Sequence, residues 1–263
     1  KFKENNTTLQ QETLGNLGVN LIYGVFFYND NPRRLIESLY DDIALDDLEI
    51  DMIDFTGPAF EYVDNRLMSL QLVKNGMTDA VIFNPDGKNM LPADMLYRKN
   101  IFAVRGSFRP VTKVNIDMFE SGLKVFREDT GCTPENTEVL FEITISNLKG
   151  DGDIDERDFL DRVDVLAQLG YTVIISNFSE YYRLIDYFST FTGHKIGIAM
   201  GVNNLLMVFD ENYYKNLSGG ILEAFGKFFR NDMTVYLYPY KDPETGELLD
   251  SNNLKVNDNL KEL

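Results

Sequence analysis

The sequence predicts an α/β protein on three observations. Short apolar runs alternate with amphipathic segments along most of the chain, which is typical of parallel βαβ units. Helix start and stop signals flank the amphipathic segments, such as Pro32 in a first turn and Gly170 after a helix. About eight such repeats favour a (βα)8 barrel-like fold, and an open doubly wound parallel sheet is the alternative.

The predicted elements follow from these patterns. Apolar runs predict strands over residues 20–28, 48–55, 80–83, 101–104, 139–146, 172–176, 195–200 and 234–238. Helical spacing predicts helices over residues 32–43, 63–74, 93–97, 114–127, 156–169, 180–191 and 221–229. The helix over 93–97 is short, so two α/β halves meeting near residues 130–136 are a further alternative. We expect a polar lead-in over 1–18, a single α/β domain over 19–240 and a polar C-terminal tail over 241–263.

Charge and hydropathy restrict the partners. The formal net charge is −17, from 42 acidic and 25 basic residues. A long nucleic-acid interface needs a basic track, so we expect no nucleic-acid partner. No apolar run approaches the roughly 20 residues that a membrane helix needs, so we expect no membrane span. The oligomeric state stays open at this point.

Cysteine and histidine counts restrict the chemistry. Cys132 is the single cysteine, which excludes an internal disulfide and fits a reducing compartment, so we expect a cytoplasmic location. His194 is the single histidine and precedes a predicted strand, at the end opposite a ligand site. We therefore predict no metal site, and magnesium held by carboxylates alone, for example those of Asp54 and Glu142, is the alternative. No dinucleotide or Walker motif is present, and the sequence identifies no cofactor.

Glu142 interrupts an apolar strand in the run Val139–Ser146. With a period of two, Glu142 shares one face with Leu140 and Thr144, where a lone carboxylate would be costly to bury. We predict either a catalytic acid or base at this position, or a buried ion pair with a nearby arginine.

The segment Arg105–Thr112 connects a predicted strand to a predicted helix. Arg105 and Arg109 supply two guanidinium groups, Ser107 supplies a hydroxyl, and Gly106 lets backbone N–H groups approach a ligand. These are the groups needed to hold a phosphate or carboxylate, so we predict a small anionic ligand. The alternative is that both arginines pair with acidic side chains.

Further polar residues follow the predicted strands. Ligands bind beyond the carboxyl ends of parallel strands, so these residues should line the same edge. We predict Asp54 as a second catalytic residue, and Asn84, Asn177 and Asn203 as ligand-binding residues.

The acidic run Asn147–Phe159 is similar to an EF-hand calcium loop. It departs from that pattern with Lys149 at the third position and Asp158 at the twelfth. The stronger prediction is a helix N-terminus with Asp153 as N-cap and Glu156 completing a capping box.

Three segments, Val63–Val73, Arg105–Thr112 and Leu169–Asn177, are similar to those of an uncharacterised bacterial protein family. The resemblance covers most of the chain, and members are labelled TonB-dependent receptor or nicotinate-nucleotide adenylyltransferase. The receptor label conflicts with the helices predicted between the strands. The transferase label implies an α/β phosphate-binding enzyme, but residues 23–30 lack the histidine of its nucleotide motif. The resemblance supplies no site residue.

The leading hypothesis is an enzyme that binds a phosphorylated or carboxylated metabolite and uses acid/base chemistry, as a lyase, isomerase or transferase. A non-catalytic interaction or scaffold protein is the first alternative, with a face formed by Tyr236, Tyr238 and Tyr240 as one docking surface. It predicts that the arginines and Glu142 are paired internally. A nucleotidyltransferase is the second alternative.

Overall fold

The computed structural model describes residues 1–3, 5–149, 152–230 and 232–254. Its contacts divide the chain into two compact units. Unit 1 comprises Lys1–Pro92 and Ile143–Asn177, and unit 2 comprises Ala93–Glu142 and Phe178–Leu263. Both units contain helices and strands, which confirms the α/β class. The predicted domain limits at residues 18 and 240 stay predictions.

The α-helices are α1 Thr7–Phe27, α2 Pro32–Ser38, α3 Asn65–Lys74, α4 Pro92–Leu96, α5 Lys113–Thr130, α6 Ile145–Lys149, α7 Glu156–Gln168, α8 Tyr181–Ser189, α9 Val202–Val208 and α10 Gly220–Phe228. The β-strands are β1 Ala80–Phe83, β2 Asn89–Met90, β3 Asn100–Arg105, β4 Thr137–Thr144, β5 Thr172–Ser176, β6 Ile196–Gly201, β7 Thr234–Tyr238, β8 Tyr240–Lys241 and β9 Leu248–Leu249.

In unit 1, helices α2 and α3 build a core beside short strands. The core cluster includes Leu35, Ile36, Met68 and Leu72, all buried. Strand β1 pairs antiparallel with β2 and with β5. Apolar side chains on both sides of β1 and β5 are buried, which is why the sequence showed them as continuous apolar runs.

In unit 2, four parallel strands lie in the order β4–β3–β6–β7. Helix α5 covers one face, where Phe102 of β3 contacts Phe119 and Phe126. Gly197 of β6 permits this packing, since a Cβ there would lie 2.7 Å from a ring carbon of Phe126. Thr112 and Asn115 form a capping box at the start of α5, and Gly131 ends it with φ of 66°.

The first predicted strand, over residues 20–28, is wrong, because residues 20–27 belong to α1 and Tyr28 is its C-cap. The Asn6 side chain caps this helix by accepting the N–H groups of Thr8 and Leu9. Residues 7–18 of the predicted polar lead-in also lie in α1. The apolar run at its end was mistaken for a buried strand, but most of its side chains are exposed.

The second predicted strand, over residues 48–55, is also wrong. An isolated bridge joins Leu48 to Phe2, and the following residues form no strand. Glu49 lies buried in this segment and accepts a hydrogen bond from Thr78. Side-chain contacts and single backbone hydrogen bonds thus hold this segment in place. Such contacts produce no regular spacing of apolar residues from which the sequence could predict the structure.

The predicted (βα)8 barrel needs eight parallel strands, and the structure does not supply them. Two of the predicted strands are absent from the described residues, and β1 runs antiparallel to both of its neighbours. The remaining strands confirm the prediction: β1, β5 and β7 have the predicted bounds, and β3, β4 and β6 lie within two residues of them.

Strands β8 and β9 form a two-stranded antiparallel pair, which lies within the predicted tail except for Tyr240. Residues 255–263 of that tail lie outside the described residues.

Candidate functional site

Arg105 and Glu142 lie side by side at the carboxyl ends of two neighbouring parallel strands. The register pairs Arg105 of β3 with Glu142 of β4, so both side chains emerge on the same face. Arg105 Nε donates to Glu142 Oε2 over 2.7 Å, and Arg105 Nη2 donates to Glu142 Oε1 over 2.9 Å. The structure thus forms the bidentate ion pair that was the alternative to a catalytic carboxylate.

Three further residues enclose this pair. The guanidinium carbon of Arg105 lies 4.2 Å from the centre of the Tyr181 ring, at the start of α8. Arg105 Nη1 donates to the carbonyl oxygen of Ser179 over 3.0 Å, and the Tyr213 hydroxyl donates to the same oxygen over 2.8 Å. We call these five residues the Arg105 cluster: Arg105, Glu142, Ser179, Tyr181 and Tyr213.

The ion pair at the centre of the cluster is almost closed to solvent, whereas Ser179 at its edge is exposed. The side chain of Glu142 is 0% exposed and that of Arg105 is 9% exposed. Burial acts to lower the pKa of Arg105, but the adjacent Glu142 carboxylate outweighs it and the pKa is raised. Burial also raises the pKa of Tyr181, so its hydroxyl stays neutral. The cluster therefore holds its charges as an internal pair.

The other predicted residues of unit 2 lie at its surface. Ser107 and Arg109 are exposed in the loop between β3 and α5. Between them, Phe108 has φ of 44°, is buried, and packs against Phe141 at 5.3 Å between ring centres. Asn203 is exposed in the first turn of α9.

The remaining predicted residues lie in unit 1. Asp54 and Asn177 are exposed. The Asn84 side chain accepts the N–H groups of Asp86 and Lys88, over 3.1 and 2.9 Å, and so shapes the turn between β1 and β2. This contact gives Asn84 a structural role in that turn, while its predicted ligand contact stays a prediction.

Unit 1 also has a polar surface cavity of about 450 Å³ beside Arg66. The Arg66 guanidinium pairs with Asp64, at 2.7 Å, and with Asp164. The hydrogen bonds that Arg66 donates to Asp64 and Asp164 raise its pKa. Both carboxylates compete with an incoming anion, so this cavity offers a poor anion site.

The acidic loop before α7 is a helix cap. Asp155, rather than the predicted Asp153, is the N-cap, and its carboxylate accepts the N–H groups of Arg157 and Asp158. The prediction was wrong by two residues because several carboxylates in this run suit a cap equally well. Gly150 and Asp151 of the calcium-loop pattern lie outside the described residues, and the described residues contain no cluster of metal-ligating side chains.

Sequence reasoning missed three members of the Arg105 cluster, Ser179, Tyr181 and Tyr213, and one exposed surface. Nothing in the sequence marks Ser179 or Tyr213, since their contacts depend on how separate segments meet. Helix α1 presents nine large apolar side chains that are 45 to 74% exposed. We call them the α1 face: Leu9, Leu14, Val19, Leu21, Ile22, Tyr23, Val25, Phe26 and Phe27.

No protein-family model, curated protein or solved structure matches this chain. Among the described residues, no helix, α1 included, is both long enough and apolar enough to cross a membrane.

Proposed function

We propose that this protein is a non-catalytic interaction protein whose binding surface is the α1 face. The observation that carries this proposal is the exposure of nine large apolar side chains on one helix. Isolated exposed apolar residues are ordinary, but a contiguous set of this size marks a surface that another molecule covers.

The buried ion pair of Arg105 and Glu142 supports the same proposal. Both carboxylate oxygens of Glu142 accept hydrogen bonds from Arg105, and the Glu142 side chain has no exposed surface. A general acid or base has to reach its substrate directly or through one water. Glu142 in this arrangement stabilises the fold and is shielded from a substrate.

The face predicted from the sequence as a docking surface, formed by Tyr236, Tyr238 and Tyr240, also contributes to the fold. Tyr236 packs against Phe102 and Phe126, with ring centres 5.8 Å apart in both pairs. The hydroxyls of Tyr236 and Tyr238 bond to Asp129 and Asp117 of α5. Two of the three tyrosines are thus used inside unit 2, and the proposed docking surface is the α1 face.

A thermal-shift screen tests the choice between interaction and catalysis. We expect cooperative melting that is unchanged by phosphorylated metabolites, dicarboxylates, or ATP with Mg²⁺. A ligand that raises the melting temperature of the wild type but not of Arg109→Ala would overturn the proposal in favour of an anion site. Arg157→Ala, which removes an exposed arginine of unit 1, is the control for the loss of one positive charge.

Anion binding is the second candidate function, and the β3–α5 loop favours it. Ser107 and Arg109 are exposed on either side of the buried Phe108, at a carboxyl edge of parallel strands. If this loop binds an anion, the turnover and the stability of Glu142→Gln distinguish a catalytic from a structural role of the carboxylate. A catalytic residue loses turnover while anion affinity persists, whereas a structural partner loses stability.

A further inference from the structure

Helix α1 directs its apolar side outward because its other side is fixed to unit 1. Gly24 packs on Leu35 and Ser38 of α2, so closely that an added Cβ would lie 2.9 Å from Ser38 Oγ. Asn20 Nδ2 donates to the carbonyl oxygens of Leu39 and Asp41, over 3.1 and 2.7 Å. These contacts set the rotation of α1, and turning the helix to bury the α1 face would break them.

The α1 face has the spacing of a helix that pairs with another helix. Gly15, Val19, Ile22 and Phe26 follow intervals of four, three and four residues, so they lie along one stripe of α1, as in paired helices. Nothing among the described residues lies within 4 Å of a Cβ added at Gly15, so a second helix could approach closely there.

The exposed area is large enough for a stable interface. A half-exposed side chain of this size presents on the order of 100 Å². With about 100° of rotation per residue, one half of the helix surface carries six of the nine side chains, and these present roughly 600 Å² per copy, which reaches the lower end of the range for specific interfaces at about 600 Å² per partner. The six are Leu14, Val19, Ile22, Tyr23, Val25 and Phe26.

Charge decides which partner fits. Glu12 is the single charged residue in the 21 residues of α1, so the helix has no basic side chain for phosphates of nucleic acids or anionic lipids. The chain as a whole carries −17, which opposes both of those partners. An apolar surface without charge is complementary to a copy of itself, as two-fold symmetric interfaces require.

We infer that a second copy of this chain covers the α1 face, forming a two-fold symmetric dimer through paired α1 helices. This inference rests on the proposed interaction function and names the partner. It also predicts that the dimer forms without a ligand, a metal or another protein.

Sedimentation velocity of the full chain, from roughly 1 to 100 μM, tests the inference. We expect a reversible monomer–dimer equilibrium in the wild type and a monomer at all concentrations for Ile22→Ser/Phe26→Ser. The control is Leu222→Ser/Phe229→Ser, which removes two exposed apolar side chains of unit 2 and should leave the dimer intact. Circular dichroism and urea unfolding of each variant establish that it is folded.

Two results would overturn the dimer. One is a wild type that stays monomeric throughout, and the other is a dimer that Ile22→Ser/Phe26→Ser does not weaken. Flotation with phosphatidylcholine vesicles adds a third: vesicle binding by a monomeric wild type that is lost in Ile22→Ser/Phe26→Ser would assign the α1 face to a lipid surface. Failure of the dimer leaves the interaction function standing, whereas a ligand shift that depends on Arg109 overturns that function.

Discussion

Unit 1 and unit 2 depart from ordinary burial in opposite directions. Unit 2 encloses an ion pair, with Glu142 fully buried against Arg105, where apolar side chains usually lie. Unit 1 leaves nine large apolar side chains of α1 exposed, where polar side chains usually lie. The buried pair makes its contacts within the fold, whereas the exposed side chains of α1 are accessible to another molecule. Under the proposed function, the first group stabilises the protein and the second binds its partner.

The largest expected effect comes from breaking the buried pair. Glu142→Gln leaves the Arg105 charge buried without its counter-charge, and we expect a loss of about 3 to 5 kcal/mol in the free energy of unfolding. Urea unfolding at neutral pH measures it. Asp232→Asn, which breaks the exposed pair of Lys195 and Asp232, should leave the unfolding midpoint unchanged. Equal midpoints for the two variants would show that the Arg105 cluster is open to solvent.

Removing both charges should reverse much of that loss. Arg105→Met combined with Glu142→Leu leaves no buried charge, so we expect the double variant to be more stable than either single variant. Tyr213 still donates to Ser179, which keeps that carbonyl oxygen satisfied. A double variant less stable than both single variants would mean that these side chains serve another purpose in unit 2.

Packing around β6 should give an intermediate effect. Gly197→Ala places a Cβ 2.7 and 2.8 Å from ring carbons of Phe126 and Phe102, and we expect a loss of about 1 to 3 kcal/mol. Gly193→Ala is the matched control, because a Cβ there meets nothing within 4 Å. Urea unfolding of both variants checks the difference, and equal stabilities would contradict the packing of α5 on β3 and β6.

A smaller effect is expected in unit 1 at Tyr40. Its hydroxyl donates to the carbonyl oxygens of Leu48 and Met77, over 2.9 and 3.3 Å, so Tyr40→Phe should cost about 1 kcal/mol. Burial raises the pKa of Tyr40 to about 12. The unfolded chain loses this proton near pH 10 while the folded chain keeps it, so the stability falls as the pH rises from about 10.

Urea unfolding of wild type and Tyr40→Phe at pH 9 and at pH 11 checks this sign. The difference in stability between the two proteins should shrink at the higher pH. A difference that grows with pH would place the Tyr40 hydroxyl in an environment that favours its ionised form.

The smallest expected effect is in the α1 face, although its side chains are large. Ile22→Ser/Phe26→Ser should change the free energy of unfolding of the dilute monomer by less than about 0.5 kcal/mol, because both side chains are already exposed. We expect the same variant to abolish dimerisation, which would separate the effect on stability from the effect on association. A loss of several kcal/mol at low concentration would mean that this face is buried within the monomer.

The sequence predicted unit 2 better than unit 1 for a physical reason. Strands buried on both faces appear as continuous apolar runs, and Glu142 was conspicuous because it interrupts one. Its pairing with Arg105 could be stated as an alternative, since both residues end neighbouring strands. In unit 1, α1 was read as a strand because its apolar run lacks a polar outer face. That interpretation assumed that apolar residues are buried, whereas the apolar side chains of α1 are mostly exposed.

Hydroxyl-radical footprinting of the wild type at two concentrations tests the central contrast most directly. At low concentration, we expect strong modification of Phe26 and Phe27 and weak modification of Tyr181, which is buried in the Arg105 cluster. At high concentration, the modification of Phe26 and Phe27 should fall while that of Tyr181 stays weak. Phe26 equally protected at both concentrations, or Tyr181 modified as strongly as Phe26, would contradict this account.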